Sequence, residues 1–322
     1  MSNALLTPSV IAKEALFQLE NNLVMANNVH RQYKDEFVKV GNTVTIRKPV
    51  KFLATDGATL VKQDVEEGNT SIVINKRKHV GWAFNTQDLT LTIKEYSKRY
   101  IEPAAIALAN QIDVDGLALY KKVWNWAGTP GQVINSYGDF AKGPKRLDKM
   151  AVPKSMRKAV MGPDDHWDLA GSQTGLFFNA IGEKAYRAGS IGKIGNVDTF
   201  MDQNLATHRN GTADAASALV RSVSNGTVNP LGYTTYAASK ATGYMDLGTD
   251  GWDASLTIKE GDVITIANVN AVNPLSKVST GEAMQFTVRA DVTSNGTTSN
   301  ETIVRISPPI IISGPYQNVD AA

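Results

Sequence analysis

Residues 29–52 read VHRQYKDEFVKVGNTVTIRKPVKF. The first half is charged and aromatic. Gly41-Asn42-Thr43 then opens a strand in which Val44 and Ile46 alternate with Thr43 and Thr45, and the strand runs directly into Arg47-Lys48-Pro49. Alternation at period two marks a strand with one covered face. A basic end carrying a proline argues for an extended arm or sheet edge rather than the wall of a pocket. Nothing in the stretch is arranged for catalysis.

On its N-terminal side, Thr7 is a good N-cap and Pro8 suits the first helical position, so a helix is predicted over about 8–22. Val10, Ile11, Ala15, Leu19 and Leu23 form its apolar stripe. A helix this short is marginal alone in water, so it must dock, on its own domain or on a neighbour. On the C-terminal side, Ser71-Ile72-Val73-Ile74 forms a second β-prone run, and Asp56-Gly57 and the acidic 64–69 lie between. The segment reads as a long two-stranded loop unable to bury a core of its own, or else as part of an ordinary antiparallel sheet.

Residues 89–126 carry the strongest helical pattern, with Ile93, Tyr96, Tyr100, Ala104, Leu108, Ile112, Leu119 and Val123 on one stripe. Pro103 is expected to kink or divide this helix near Glu102, Gly116 to weaken it, and Gly128-Thr129-Pro130 to end it beyond Trp126. Trp124 and Trp126 read as core residues. Short helices are predicted over 155–160 and 179–188, followed by a glycine loop at 189–195. From Val220 to Tyr316 the composition shifts to Thr, Val, Ile, Gly, Asn and Ser. Runs at 256–258, 263–266, 284–288 and 302–306, with turns at Glu260-Gly261-Asp262 and Asn295-Gly296, predict a small β-barrel or sandwich.

The chain has 322 residues, enough for a large core and two or more domains. Lys+Arg 33 against Asp+Glu 31 gives a net charge of +2, so no overall field favours nucleic acid or an anionic membrane. Cysteine is absent, which removes disulfides, thiolate metal sites and thiol catalysis. Met1-Ser2-Asn3 lacks the basic region of a signal peptide. No run approaches the roughly 20 apolar residues of a membrane span. A cytosolic protein without membrane partners is expected.

Searching for chemistry returns little. His30, His79, His166 and His208 are scattered. Asp164-Asp165-His166-Trp167-Asp168 is the one local cluster of metal-type ligands, but neighbouring residues point apart, and a solvated loop is the simpler reading. The glycine spacing at 189–195 is neither a dinucleotide nor a P-loop spacing, and no G-x-S-x-G occurs. No catalytic residue, cofactor or metal is therefore expected. Two basic runs stand out, Lys76-Arg77-Lys78-His79 and the seven Lys and Arg residues between 142 and 158. Each is either a solvated face or a contact with acidic patches or packaged nucleic acid.

Five phrases carry a resemblance: LTPSVIAKEALFQLENNLVMANNVHRQYKDEF (6–37), GNTVTIRKPVKF (41–52), YIEPAAIALANQID (100–113), GDVITIANVNAVNP (261–274) and VRISPPIIISGPYQNV (304–319). In this order the chain resembles the major coat proteins of short-tailed phages of the Salmonella type. The resemblance implies an α+β chain with the Hong Kong 97-type major capsid fold and an inserted all-β barrel. Laid on this sequence, the N-terminal arm is 1–40, the extended β-hairpin loop 41–90, and the spine helix with peripheral and axial α/β domains 91–220. The inserted barrel is then 221–315 and the C-terminal tail 316–322. Relatives resume the axial domain after the barrel, whereas this sequence stops at Ala322, so an incomplete axial domain is expected, from a short variant or a truncated chain.

The implied role is self-assembly, as pentamers and hexamers, into an icosahedral head built in the host bacterial cytoplasm. Implied partners are a scaffolding protein, a portal, and packaged double-stranded DNA held without sequence specificity. Candidate subunit-interface residues are Leu5, Leu6, Ile11 and Leu16 on the arm, Arg47 and Lys48 at the strand end, and Lys76, Arg77 and Lys78. The other readings left open are a cytosolic carbohydrate-active hydrolase with a C-terminal β-sandwich and a phage tail or adhesion protein.

Overall fold

A computed structural model of the chain describes residues 8–30, 32–33, 42–81, 83, 93–173, 189, 191–213, 218–220, 233–295 and 302–321. Helix α1 (Pro8–Asn22) has the predicted span. It docks on its own chain. The platform is the long helical segment, made of α2 (Ile93–Tyr96), a π-helical turn (Ser97–Ile101), α3 (Glu102–Leu117) and a 3-10 turn (Ala118–Lys122). Ser97 Oγ donates to Glu14 Oε1 across the contact at 2.9 Å.

Beyond α1, the chain is caught by Asp113. Its two carboxylate oxygens accept from Val24 N at 2.8 Å and Ala26 N at 3.0 Å, and the residue is only 2% exposed. A buried carboxylate needs such donors. Here they come from the backbone of the turn that follows α1, so the carboxylate holds the arm to the long helix.

The buried face of this helix departs from the predicted stripe. Tyr96, Ile101, Ala105, Ala109, Asp113 and Leu117 are buried, whereas Leu119 and Val123 are exposed. Tyr96 and Ser97 are buried side by side where the π turn begins, and from Ile101 onward the buried positions recur every four residues. A π turn accommodates one extra residue and advances the inward face by one position. The helical segment is thus divided just before Pro103, at Glu102 as expected, and the division takes the form of a π turn. Pro103 itself is the second residue of α3, which directly follows the π turn. The helix also ends earlier than expected, at Lys122, because Val123 is already extended. Trp124 packs on the β core, but Trp126 is exposed.

Strands β1 (Thr43–Arg47) and β2 (Asn69–Val73) pair antiparallel, with Thr43 opposite Val73 and Arg47 opposite Asn69. Helix α4 (Tyr137–Lys149) starts at Ser136, whose hydroxyl accepts from Asp139 N. The predicted helix at 155–160 is instead a turn and strand β3 (Lys158–Met161), paired parallel to β5 (Val197–Met201). Strand β4 (Lys193–Ile194) completes this sheet. A distant partner overrides local preference here. The Asp164–Asp168 cluster is not a loop either. It lies in helix α5 (Pro163–Gln173), where His166 Nε2 meets Gly189 O at 2.8 Å and Asp165 accepts from Ile134 N. The predicted helix at 179–188 lies outside the described residues.

The C-terminal part is all β after the short helix α6 (Tyr236–Ser239). Six antiparallel strands run in the order β13 (Val319–Ala321), β9 (Val263–Val272), β10 (Ser279–Val288), β12 (Thr302–Ser307), β7 (Met245–Asp250) and β6 (Leu219–Val220). Strands β8 (Ala254–Ile258) and β11 (Val292–Asn295) form a separate pair. Phe286, Val288, Ile306, Ala271 and Val319 are fully buried among Leu247, Val304 and Met284. Helix α4 is tied to this unit by Glu282, which takes Arg146 at 3.1 Å and also Lys149.

Two consequences can be measured. Asp113→Ala should lower unfolding stability in urea by about 2–3 kcal/mol, because two donors lose a charged acceptor. It should also speed proteolysis at 23–28, and a change below about 0.5 kcal/mol would show that the contact is incidental. Lys149, and after it Arg146, hold the Glu282 carboxyl below its ordinary value. A lowered folded-state value contributes stability above the ordinary carboxylate range and loses it as pH falls through the folded value. Glu282→Gln should therefore cost about 1 kcal/mol at neutral pH, discounted because the side chain is 40% exposed. Denaturation midpoints measured against pH should converge with wild type in acid.

Candidate subunit interface

The loop between β1 and β2 is clamped at its root and bare beyond it. Lys48 N donates to Gly68 O at 2.7 Å, and Lys48 Nζ reaches Lys240 O at 2.9 Å. Tyr316 OH donates to Glu66 O at 3.0 Å and accepts from Lys51 N at 3.2 Å. The Tyr236 ring stacks on Tyr316, and burial pushes the Tyr236 phenol up. Gly68 is the point of closest approach, because a Cβ there would sit 2.6 Å from Tyr236 OH and 3.2 Å from Lys240 O.

Past the clamp, residues 51–62 are all exposed, and so are 69–81. Among them Phe52, Leu60, Val61, Ile72, Val73 and Ile74 are large apolar side chains in water, joined by Val65, and Leu60 is 83% exposed. Such a concentration on one projecting element exceeds the scattered apolar residues of an ordinary surface. Within the loop, Leu53 N donates to Gln63 Oε1 at 3.0 Å, which crosses the two arms and keeps them together.

The return arm is anchored by charge. Lys76 Nζ lies 2.7 Å and Lys78 Nζ 3.3 Å from the Asp115 carboxylate on the long helix, and Lys76 holds that carboxyl below its ordinary value. Arg47 pairs loosely with Glu67 at 3.4 Å, both exposed, a pair of little energetic weight. Of the sequence candidates, then, Lys48, Lys76 and Lys78 bind within their own chain, and Arg77 is exposed. Leu16 is exposed beside exposed Phe17. Leu5 and Leu6 lie outside the described residues, and Ile11 is placed on α1 without a described side chain.

Sequence reasoning missed the apolar members of the loop. Their signal was present, as five large apolar residues set in the polar run 52–65, FLATDGATLVKQDV. It also left the basic run at 142–158 open. Lys142 pairs with Asp139, Arg146 and Lys149 with Glu282, and Arg157 with Asp148, so much of that charge is neutralised inside the chain. Among the described residues, no group of three His, Asp or Glu is placed to hold a metal ion, and no helix is long and apolar enough to cross a membrane.

A root-clamped ribbon with this many exposed apolar side chains has the character of a protein–protein contact surface, the class of surface that assembly proteins carry. The family described as "P22 coat protein - gene protein 5" matches residues 2–322. The chain belongs to that family, and it is accordingly a major capsid protein of a phage head shell, located in the virion capsid. No curated protein matches it. Solved structures similar to it include one described as "Mycobacterium phage Che8", at 16% identity and TM-score 0.46, covering 88% of this chain and 86% of that one. Another is the "Capsid structure of the Cyanophage P-SCSP1u", at 15% identity and TM-score 0.37, covering 84% and 80%. A third is the "Asymmetric unit of bacteriophage PhiM1 mature capsid", at 13% identity and TM-score 0.35, covering 86% and 81%. The assignment rests on the family match, which implies a structural role.

The clamp makes a direct prediction. Gly68→Ala should loosen the loop root, because backbone at Lys240 O cannot withdraw as a side-chain tip can. We expect a loss of about 1–2 kcal/mol, in the range for overpacking, and faster amide exchange at 66–68. Unchanged exchange would mean that the clamp is not formed in solution.

Proposed function

We propose that the chain tiles an icosahedral head by laying its extended loop over neighbouring copies, on a Hong Kong 97-type framework. In this reading 1–40 is the arm, 41–90 the loop, and 91–220 the spine helix with peripheral and axial domains. The inserted β-barrel is 221–315 and the tail is 316–322. One observation carries the reading: the exposed apolar run of the loop, from Phe52 to Val65, which projects from a root fixed to the rest of the subunit. Covering apolar surface yields about 25 cal/mol per Å², and a shell repeats the gain at every copy.

Pentamers and hexamers are the units of such a shell, with a scaffolding protein and a portal as partners during assembly. Packaged double-stranded DNA lies against the inner face without sequence specificity. Support for a weak DNA contact is the net charge of +2 together with the internal pairing of the 142–158 cations. The chain then acts without catalysis, its interface residues being Leu5, Leu6, Ile11 and Leu16 on the arm and Arg47, Lys48, Lys76, Arg77 and Lys78 around the loop. The last group sets the loop's direction, and the apolar residues supply the adhesion.

The double substitution Leu60→Asp and Val65→Asp tests this division of labour. Both side chains are exposed in the single subunit, so circular dichroism and the thermal melt should match wild type. Closed particles in negative-stain microscopy should disappear. Normal particles from the double variant would overturn the loop as the adhesive element.

A further inference from the structure

The loop joining α4 to β3 is held in an unusual shape. Ala151 and Met156 have φ of 56° and 57°, in the left-handed region that residues with a Cβ rarely adopt. Glycine or asparagine would relieve both positions, yet neither is present. The shape is imposed by Arg157, whose side chain is 8% exposed. Its Nη2 donates to Val152 O at 2.6 Å and Asp148 Oδ1 at 2.8 Å, and its Nε donates to Pro153 O at 3.0 Å. Asn196 Nδ2 adds a bond to Lys154 O at 3.2 Å.

What this staple presents is Met156, 87% exposed, more than any other large apolar side chain among the described residues. Exposed Val152 and Lys154 lie beside it in sequence. Strain of this kind persists where the surrounding structure insists on it, and such sites are commonly functional. A methionine is the apolar side chain that adapts best to an irregular recess.

The same chain contains a recess of matching chemistry. Between the loop root and the C-terminal β unit lies an open cleft of about 400 Å³. Leu53, Tyr236, Pro315 and Tyr316 give it apolar walls, and its two charged lining residues, Asp64 and Glu66, are both carboxylates. Two cations border the cleft without lining it: Lys51 Nζ lies 6.0 Å from the centre of the Tyr316 ring, and Lys277 Nζ is turned onto Pro315 O at 2.7 Å. An apolar knob with one cation and an apolar cleft whose charged lining residues are two carboxylates are complementary in chemical character.

We infer that the Met156 knob of one copy seats in the Tyr236–Tyr316 cleft of a neighbouring copy, with Lys154 against Asp64 and Glu66. The contact joins different patches of two identical chains, so it is heterologous, the kind that closes rings of subunits. It rests on the shell reading above and adds a contact on the side of the loop that faces the C-terminal β unit.

The absence of cysteine makes the test clean. Chains carrying Met156→Cys and chains carrying Leu53→Cys are co-assembled, oxidised and run on a non-reducing gel. A cross-linked dimer is expected only from the mixture. Met156→Asp should slow assembly roughly tenfold or more, the loss of one anchoring contact at each interface, with an unchanged melt. Three results would overturn the inference: normal particles without the mixed cross-link, cross-links from Met156→Cys chains alone, or Met156→Asp assembling at the wild-type rate. If the unsubstituted chain forms no particles at all, the shell reading itself fails.

Discussion

Two carboxylates on the long helix, Asp113 and Asp115, hold the subunit together. Residues two apart on an α-helix point roughly 200° apart around its axis, so the pair reaches opposite sides. Asp113 takes the backbone of the turn after α1, and Asp115 takes Lys76 and Lys78 on the return arm of the loop. The helix thereby gathers two segments, each too short or too polar to fold alone. The two contacts are not equal in kind. The Asp113 contact is buried and satisfied by backbone donors, which makes it costly to break. The Asp115 contact is solvated and screened, so it sets direction more than stability.

A third attachment joins the end of the helix to the β unit. Lys121 O accepts from Thr287 Oγ1 at 3.0 Å, and Trp126 N donates to Gln285 Oε1 at 2.8 Å, both along β10. Nearby, His208 bridges Tyr120 OH at 3.0 Å and Asp262 Oδ1 at 2.8 Å. Asp262 also accepts from the backbone of Gly211 and Lys259. The turn at Gly261 is therefore fixed by side chains from three parts of the sequence. Because the loop root is clamped to the same β unit through Tyr316 and Lys48, helix, β unit and loop root share one frame. Only the outer loop is left without such restraint.

The elements that depend on local chemistry were legible in the sequence. Thr7 and Pro8 marked α1, alternation marked β1, and Thr- and Val-rich runs with tight turns marked β8, β9, β10 and β12. What was illegible depends on partners far away in the chain. Residues 158–161 are a strand because 197–201 lie alongside, and β7, MDLGTD, carries Gly and two Asp that argue against a strand until β12 pairs with it. The π turn shifted the buried face by one residue, which a constant-period reading could not register. Pro163, Asp164 and Asp165 are by contrast a local helix-start signal, a proline at the first position with carboxylates in the first turn, so α5 is marked in the sequence itself. For the interface, the basic residues drew attention because charge is conspicuous in sequence. Burial alone separates the apolar loop residues from core residues of the same type.

A two-stranded sheet also leaves an unpaired edge on each side, and β2 runs from Asn69 to Val73 with Ile72, Val73 and the following Ile74 exposed. Such an edge is a template for indiscriminate pairing before assembly. The charges that bracket it oppose this: Arg47 and Lys48 at the end of β1, then Lys76, Arg77 and Lys78 just past β2, with Pro49 removing a donor. Lysines and a proline at the margins of apolar strands do not weaken adhesion by side chains across the face of the ribbon. They discourage only the edge-to-edge route. The basic residues and the apolar residues of the loop are thus parts of one solution, since a surface that must bind its neighbours in one geometry has to refuse the others.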